Sequence, residues 1–308
     1  MPGKDKILVC PPTYGMYSVS AQVNDVGLVK VPLLPPPGFQ IDVPAIKMAL
    51  SGPEASQIKL VYICSPGNPT GSLIAKEDLK QILEHETWNG VVILDEAYID
   101  FAPEGSSLAE WVTEWPNLVV MQTLSKAFGL AGIRLGAAFT SPPIASLLNN
   151  LKAPYNISSP TSAIACIALG GGPSGGLESM QENKTRIIVQ RQRLLNELPK
   201  VNGVGRFRGG EASNFLLVEI LNTAGKPDNV TALKVYETLA ENRGVVVRFR
   251  GKEYGCLGCL RITVGTKDEV TRFLNEIEGV IKQVHSNEDK NTNATEEKQE
   301  RAANGSVA

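Results

Sequence analysis

Histidine is almost absent: His85 and His285 are the whole complement of a 308-residue chain. His85 sits in the polar, helix-patterned stretch KEDLKQILEHE and His285 opens a polar tail. Neither is placed as the base of a Ser-His hydrolase or as one of the paired helical ligands of a zinc protease. Any chemistry must rest on Lys, Tyr, Asp, Asn and Arg, or on a cofactor. Charge bias is missing too, because thirty Lys and Arg against thirty-two Asp and Glu leave a net charge of -2. No global field draws the chain onto nucleic acid or an anionic membrane, so neither is expected as a partner. There is no run of about 18 apolar residues, and MPGKDKILVC offers too short an apolar stretch for a signal peptide. The cytoplasm is the expected location. The cysteines, Cys10, Cys64, Cys166, Cys256 and Cys259, are odd in number and scattered; reduced thiols are expected rather than a disulfide framework.

What is present is the composition of a globular protein, 43% hydrophobic, of a length that suggests two domains. The first half alternates short apolar strands with amphipathic or turn-rich segments, the pattern of an α/β protein with a largely parallel sheet. Strands are expected at 6–10, 27–31, 59–64, 91–94, 118–122 and 135–139. Val91-Val92-Ile93-Leu94 does not alternate, as befits a strand covered on both faces. Residues 1–152 read as a large domain. Residues 153–200 read as a connecting segment rich in Pro, Ser and Gly followed by a long helix. Residues 201–285 read as a smaller α+β domain, with strands at 214–220, 245–249 and 260–264, a helix from about Val230 ended by Gly244, and a last helix opened by the capping box Thr266–Glu269. Residues 286–308 are polar and without period, and are expected to be a disordered tail.

Several weak signals are set aside. Cys256-Leu257-Gly258-Cys259 has zinc or redox spacing but no second ligand pair, so no metal site is expected. Gly172-Pro173-Ser174-Gly175-Gly176 matches a nucleophile elbow, yet follows no strand and has no histidine partner; it reads as a linker.

Three motifs remain, and all fall at the carboxyl ends of expected strands, the side of an open α/β sheet where ligands bind. Ser65-Pro66-Gly67-Asn68-Pro69-Thr70-Gly71 is a rigid turn presenting Asn68. Asp95-Glu96-Ala97-Tyr98 ends a buried strand with a carboxylate that is costly to desolvate without a cationic partner; an N-cap or a Mg²⁺ ligand is the alternative, but no Walker-type loop lies upstream. Thr123 to Arg134, TLSKAFGLAGIR, sets Lys126 among small residues after an apolar strand, where desolvation lowers the pKa of a lysine and makes it a Schiff-base nucleophile; a solvated loop lysine is the alternative. A buried Asp, a Schiff-base Lys, and an Arg and a Ser for a phosphate are together what pyridoxal phosphate needs from a protein.

Through PPTYGMY, SPGNPTG, LDEAYIDF, TLSKAFGLAGIR and GCLRITVGT, the sequence resembles the fold-type-I pyridoxal-phosphate aminotransferases, and among them the branch acting on histidinol phosphate, from about Gly3 to Val284. The resemblance implies a mixed, mostly parallel sheet in the large domain and a smaller α+β C-terminal domain. It also implies pyridoxal 5'-phosphate as cofactor and a homodimer. Lys126 resembles the Schiff-base lysine and Asp95 the partner of the pyridine nitrogen. Asn68 and Tyr98 resemble the pair on the cofactor's phenolic oxygen, Ser125 and Arg134 the phosphate ligands, and Tyr14 the aromatic residue stacked on the ring. Arg261 and Arg248 match arginines for the substrate's acidic groups, with Asn68 also facing the substrate. The implied reaction passes an amino group between a phosphorylated amino substrate and 2-oxoglutarate, with Lys126, Asp95 and Tyr98 as the catalytic set.

The family pattern normally carries a further stretch before the point where this sequence starts, so the expectation is a large domain incomplete at its N-terminus. Other readings stay open here: another fold-type-I aminotransferase, a threonine-phosphate decarboxylase-like enzyme, or a non-catalytic remnant that pairs with another subunit.

Overall fold

The computed structural model of the protein describes residues 3–171 and 175–304, with side chains up to residue 287. The chain forms two compact units, Met1–Val189 with Gly209–Leu216, and Gln190–Arg208 with Leu217–Ala308.

In the first unit, strand and helix alternate: β1 (Lys6–Val9), α1 (Met16–Val23), β2 (Gly27–Lys30), α2 (Val43–Ser51), β3 (Ile58–Cys64), α3 (Lys76–Leu83), β4 (Val91–Asp95), β5 (Leu118–Thr123), β6 (Gly136–Thr140), α4 (Pro142–Asn150), α5 (Ser159–Leu169) and the first part of α6 (Gly176–Glu197). The six strands lie in the order β2-β1-β3-β4-β5-β6. β1 to β5 are parallel and β6 is antiparallel to β5. The sheet is thus largely parallel, as the alternation implies, and mixed through β6, as the resemblance implies. Val92, Ile93 and Leu94 are all buried, which is why β4 reads as a continuous apolar run. α3 buries Leu79, Ile82 and Leu83, a stripe at helical spacing. α2 starts where the Asp42 carboxylate accepts the Ala45 N–H at 3.0 Å, a side-chain N-cap.

Within the Pro/Ser/Gly-rich connecting segment the sequence reading identifies no helix before the long one, and residues 159–169 are α5, begun by the Ser158 hydroxyl accepting the Thr161 N–H at 3.2 Å with a proline in the first turn. Serine and proline are start signals there, not breakers, and an alanine-rich interior carries the helix on. Gly172, Pro173 and Ser174, most of the elbow-like string, lie outside the described residues.

The second unit adds β7 (Val204–Phe207), β8 (Phe215–Ile220, whose first two residues belong to the first unit), α7 (Asn229–Arg243), β9 (Arg248–Phe249), β10 (Cys259–Thr263) and α8 (Lys267–Asn304). Its sheet order is β7-β8-β10-β9. α7 stops at Gly244, which holds φ +60, a left-handed cap that glycine adopts without strain. The Val245 N–H then bonds back to the Leu239 carbonyl at 2.9 Å. That bond takes the backbone expected to start a strand at 245 and leaves β9 only two residues long. The capping box at Thr266 is formed in both directions, at 2.7 Å and 3.3 Å. α8 buries Val270, Phe273, Ile277, Ile281 and Val284 and remains helical past residue 285, where the sequence reading expects an unstructured tail. No glycine or proline occurs between Ser286 and Asn304 to end it.

Candidate active site

The loops after β1, β3, β4 and β5, four adjacent parallel strands, converge on a cavity of about 400 Å³. The residues expected to bind a cofactor all line it. Tyr14 enters from the loop after β1, Asn68 from that after β3, and Asp95 and Tyr98 from the end of β4. Ser125, Lys126 and Arg134 come from the turn after β5.

Asp95 is held from two directions. Its Oδ1 accepts the Ala97 N–H at 3.0 Å, and its Oδ2 accepts the Tyr17 hydroxyl at 2.5 Å. Tyr17 was not singled out by the sequence reading, although it stands in the same PPTYGMY motif as Tyr14. Its ring stacks on Tyr62 with centroids 4.8 Å apart and meets Tyr14 edge-on at 5.6 Å. Cys64, which also lines the cavity, is the register partner of Asp95 across β3 and β4. Burial, reinforced by the Asp95 charge, pushes the Cys64 thiol up to about 12. Burial, with Cys64 and Asp95 adding to it, raises the Tyr17 phenol far above its ordinary range. Both therefore stay protonated near neutrality.

The Asn68 loop is anchored by a segment that sequence reasoning passed over. Gly210 N–H bonds to the Thr70 carbonyl and to Ser72 Oγ, each at 3.0 Å, and Ala212 N–H bonds to the Gly71 carbonyl at 3.0 Å. The available signal was the Gly209-Gly210 pair, since close backbone approach favours glycine. Asn68 itself is buried at the cavity wall.

Around the lysine, the turn is tied by Thr123, whose hydroxyl accepts the Ser125 N–H at 3.1 Å and donates to the Leu135 carbonyl at 3.2 Å. Gly129, at φ +67, lets the chain reverse so that its N–H reaches the Lys126 carbonyl at 3.0 Å. Lys126 Nζ stands 5.3 Å from the centre of the Tyr98 ring, within cation–π range. The Tyr98 ring is in turn fixed edge-on against Phe215 at 5.1 Å. Arg134 adopts φ 55, ψ 46, left-handed geometry that a non-glycine residue takes at some cost; its Nη1 donates to the Ala131 carbonyl at 2.8 Å.

Arg248 and Arg261 are not among the residues lining this cavity. They belong to the second unit, opposite one another across the antiparallel β9–β10 pair.

A carboxylate, a lysine, a serine–arginine pair and an aromatic ring around one pocket at a parallel sheet's carboxyl edge suit a phosphorylated aromatic cofactor. The family Aminotransferase class I and II matches residues 1–277. The chain belongs to this aminotransferase family. It is 51% identical over 288 residues to the histidinol-phosphate aminotransferase of Schizosaccharomyces pombe, covering 93% of this chain and 73% of that protein. The Saccharomyces cerevisiae histidinol-phosphate aminotransferase is 48% identical over 277 residues, covering 89% and 69%. The crystal structure of the enzyme of that name from Clostridium acetobutylicum superposes with a TM-score of 0.76 at 26% identity, over 91% of this chain and 78% of that one.

Proposed function

We propose that this aminotransferase uses pyridoxal 5'-phosphate to move an amino group between L-histidinol phosphate and 2-oxoglutarate, giving imidazole acetol phosphate and glutamate in histidine biosynthesis. The observation that carries this is the meeting of Lys126, Asp95, Asn68, Tyr98, Ser125 and Arg134 on one cavity. The donor set fits the cofactor: an acceptor carboxylate for a ring nitrogen, side chains for a phenolic oxygen, a lysine for the aldehyde, and a hydroxyl with a guanidinium for the phosphate. When bound, pyridoxal phosphate supplies an electron sink for the carbon that bears the amino group.

The chain's own residues do the rest. Asp95, held by Ala97 and Tyr17, would accept the ring N–H and so favour a proton on that nitrogen. Asn68 and Tyr98 orient the phenolic oxygen. Ser125 and Arg134 grip the phosphate, the guanidinium suiting a dianion by charge and by its paired donors. Lys126 Nζ would hold the cofactor's aldehyde and, as an amine at the cavity wall, would be the group that takes a proton from the substrate carbon and returns it. Arg248 and Arg261 are proposed as the anchors of the substrate's acidic groups. A homodimer and a cytoplasmic location are further proposals; among the described residues, no helix is long and apolar enough to cross a membrane.

The test is glutamate formation from histidinol phosphate and 2-oxoglutarate in the presence of pyridoxal phosphate. Activity that disappears in Lys126→Ala is expected. Carbon dioxide release without glutamate, or an equally active Lys126→Ala, would overturn the reading.

A further inference from the structure

We propose that Tyr17 is a positioning residue for the reaction, setting through its hydroxyl the orientation of Asp95 toward the cofactor's ring nitrogen. The proposal rests on the reading of Asp95 as that nitrogen's partner.

The geometry points this way on three counts. First, the Tyr17 hydroxyl donates to Asp95 Oδ2 at 2.5 Å while Ala97 N–H occupies Oδ1. Both oxygens thus have a donor from the protein, and a carboxylate so held is restrained against rotation about its last torsion, which is otherwise broad and soft. Second, the ring that carries the hydroxyl is immobilised. Tyr17 is 6% exposed, lies between Tyr62 and Tyr14, and packs on Ile7, Val9 and Ala21. Tyr62, Ile7 and Val9 stand on strands of the parallel sheet and Ala21 on the same helix α1, so the donor belongs to the scaffold rather than to a loop. Third, the hydroxyl has one proton to give and is prevented from losing it. It stands beside Asp95 and the Cys64 thiol, and a phenolate beside the Asp95 carboxylate would bury a second like charge.

Together these make Tyr17 an obligate donor to a carboxylate whose open side faces the cavity. Preorganised acceptors of this kind matter because the reacting group then meets no reorganisation cost. Without the hydroxyl, Asp95 keeps its Ala97 bond but can turn away from the ring nitrogen.

The measurement is the dissociation constant of pyridoxal phosphate, read from the visible band of the lysine-bound cofactor, in Tyr17→Phe, Asp95→Asn and the double variant. Tyr17→Phe keeps the aromatic stack and removes only the hydroxyl. It is expected to weaken binding at least tenfold, equivalent to about 1.4 kcal/mol, and to lower kcat more than it changes the KM of either substrate. In the Asp95→Asn background the same change is expected to have less than a twofold effect, because the double-variant cycle isolates the coupling. Tyr62→Leu, which loosens the ring but leaves the hydroxyl, is expected to give a smaller loss that also vanishes with Asp95→Asn, and it decides the matter if Tyr17→Phe does not fold. Wild-type affinity in both variants, or a loss of equal size with and without Asp95, would overturn the proposal while leaving the cofactor site standing. A wild-type protein that forms no lysine-dependent band would remove the site and the proposal with it.

Discussion

A Cβ atom at Gly209 would stand 1.9 Å from the carbonyl oxygen of Thr70. The loop carrying Asn68 and the segment 209–213 are therefore in backbone contact, and no side chain fits between them. Gly209→Ala must push the two apart, at a cost of about 1–3 kcal/mol for an overpacked contact. Because the displaced element carries Asn68, pyridoxal phosphate affinity should fall along with the thermal midpoint. Gly105→Ala is the control, since nothing lies within 4 Å of the added atom, although Gly105 holds φ +74 and a small strain penalty is expected. Comparable cofactor affinity in the two variants would contradict the account.

Glu96, next to Asp95 in sequence, has a different task. It is 1% exposed and accepts bonds from Ser107 Oγ at 2.7 Å, Leu108 N–H at 2.7 Å and Gln122 Nε2 at 2.9 Å. Glu96→Ala leaves the buried Leu108 N–H without its acceptor and removes one from Ser107 and Gln122, and should destabilise the fold by about 2 kcal/mol. Glu96→Gln keeps an acceptor and should cost less than half of that. Urea denaturation of the cofactor-free protein measures both, and equal midpoints for the two variants would count against this role.

Arg134 and Ser125 are read as phosphate ligands, and that reading makes a comparison between two cofactors informative. Arg134→Ala should lose at least tenfold in affinity for pyridoxal phosphate and far less for pyridoxal, which has no phosphate to grip. The residue's left-handed backbone, φ 55, adds a second expectation. Arg134→Gly should be more stable than Arg134→Ala by about 1 kcal/mol, as glycine carries no penalty there. An equal loss for both cofactors would move the phosphate elsewhere.

The buried thiols set an alkaline limit. Burial lifts Cys10 and Cys64 from an ordinary 9.0 to about 12. Between these values the unfolded chain gives up its thiol protons and the folded one keeps them. The stability they confer is complete below pH 9 and is lost as pH rises toward 12, at about 1.4 kcal/mol per pH unit for each thiol. Unfolding free energies measured in urea from pH 8 to pH 11 should fall, and Cys10→Ala should flatten the slope. A flat profile in the wild type would contradict the burial.

Much of this architecture was legible from residue order, for stated physical reasons. The run Val91–Leu94 of β4 is apolar without alternation because the strand is buried on both faces, and α7 and α8 announce themselves through Gly244 and the Thr266–Glu269 box. The cavity-lining residues Asn68, Asp95, Tyr98, Ser125, Lys126 and Arg134 stand in contiguous motifs at strand ends, so one sheet edge gathers them. What escaped notice depends on contacts distant in sequence. Tyr17 acquires its meaning only when α1 packs against β1 and β2, its ring stacks on Tyr62 of β3 and its hydroxyl reaches Asp95 at the end of β4. Gly209 and Gly210 look like a plain turn until Thr70 and Gly71, well over a hundred residues earlier, lie against them. α5 went unassigned because serine and proline mark either a loop or a helix start, and the apolar residues that follow do not share one buried face.

The central claim is that Lys126 holds the cofactor, and peptide mapping after borohydride reduction of the pyridoxal-phosphate-treated protein tests it most directly. Reduction fixes a lysine–cofactor double bond as a stable adduct, so the pyridoxyl mass should appear on the peptide containing Thr123-Leu124-Ser125-Lys126 and be absent when Lys126→Ala is treated in the same way. An adduct confined to other lysines, or equal labelling of the wild type and Lys126→Ala, would contradict the account.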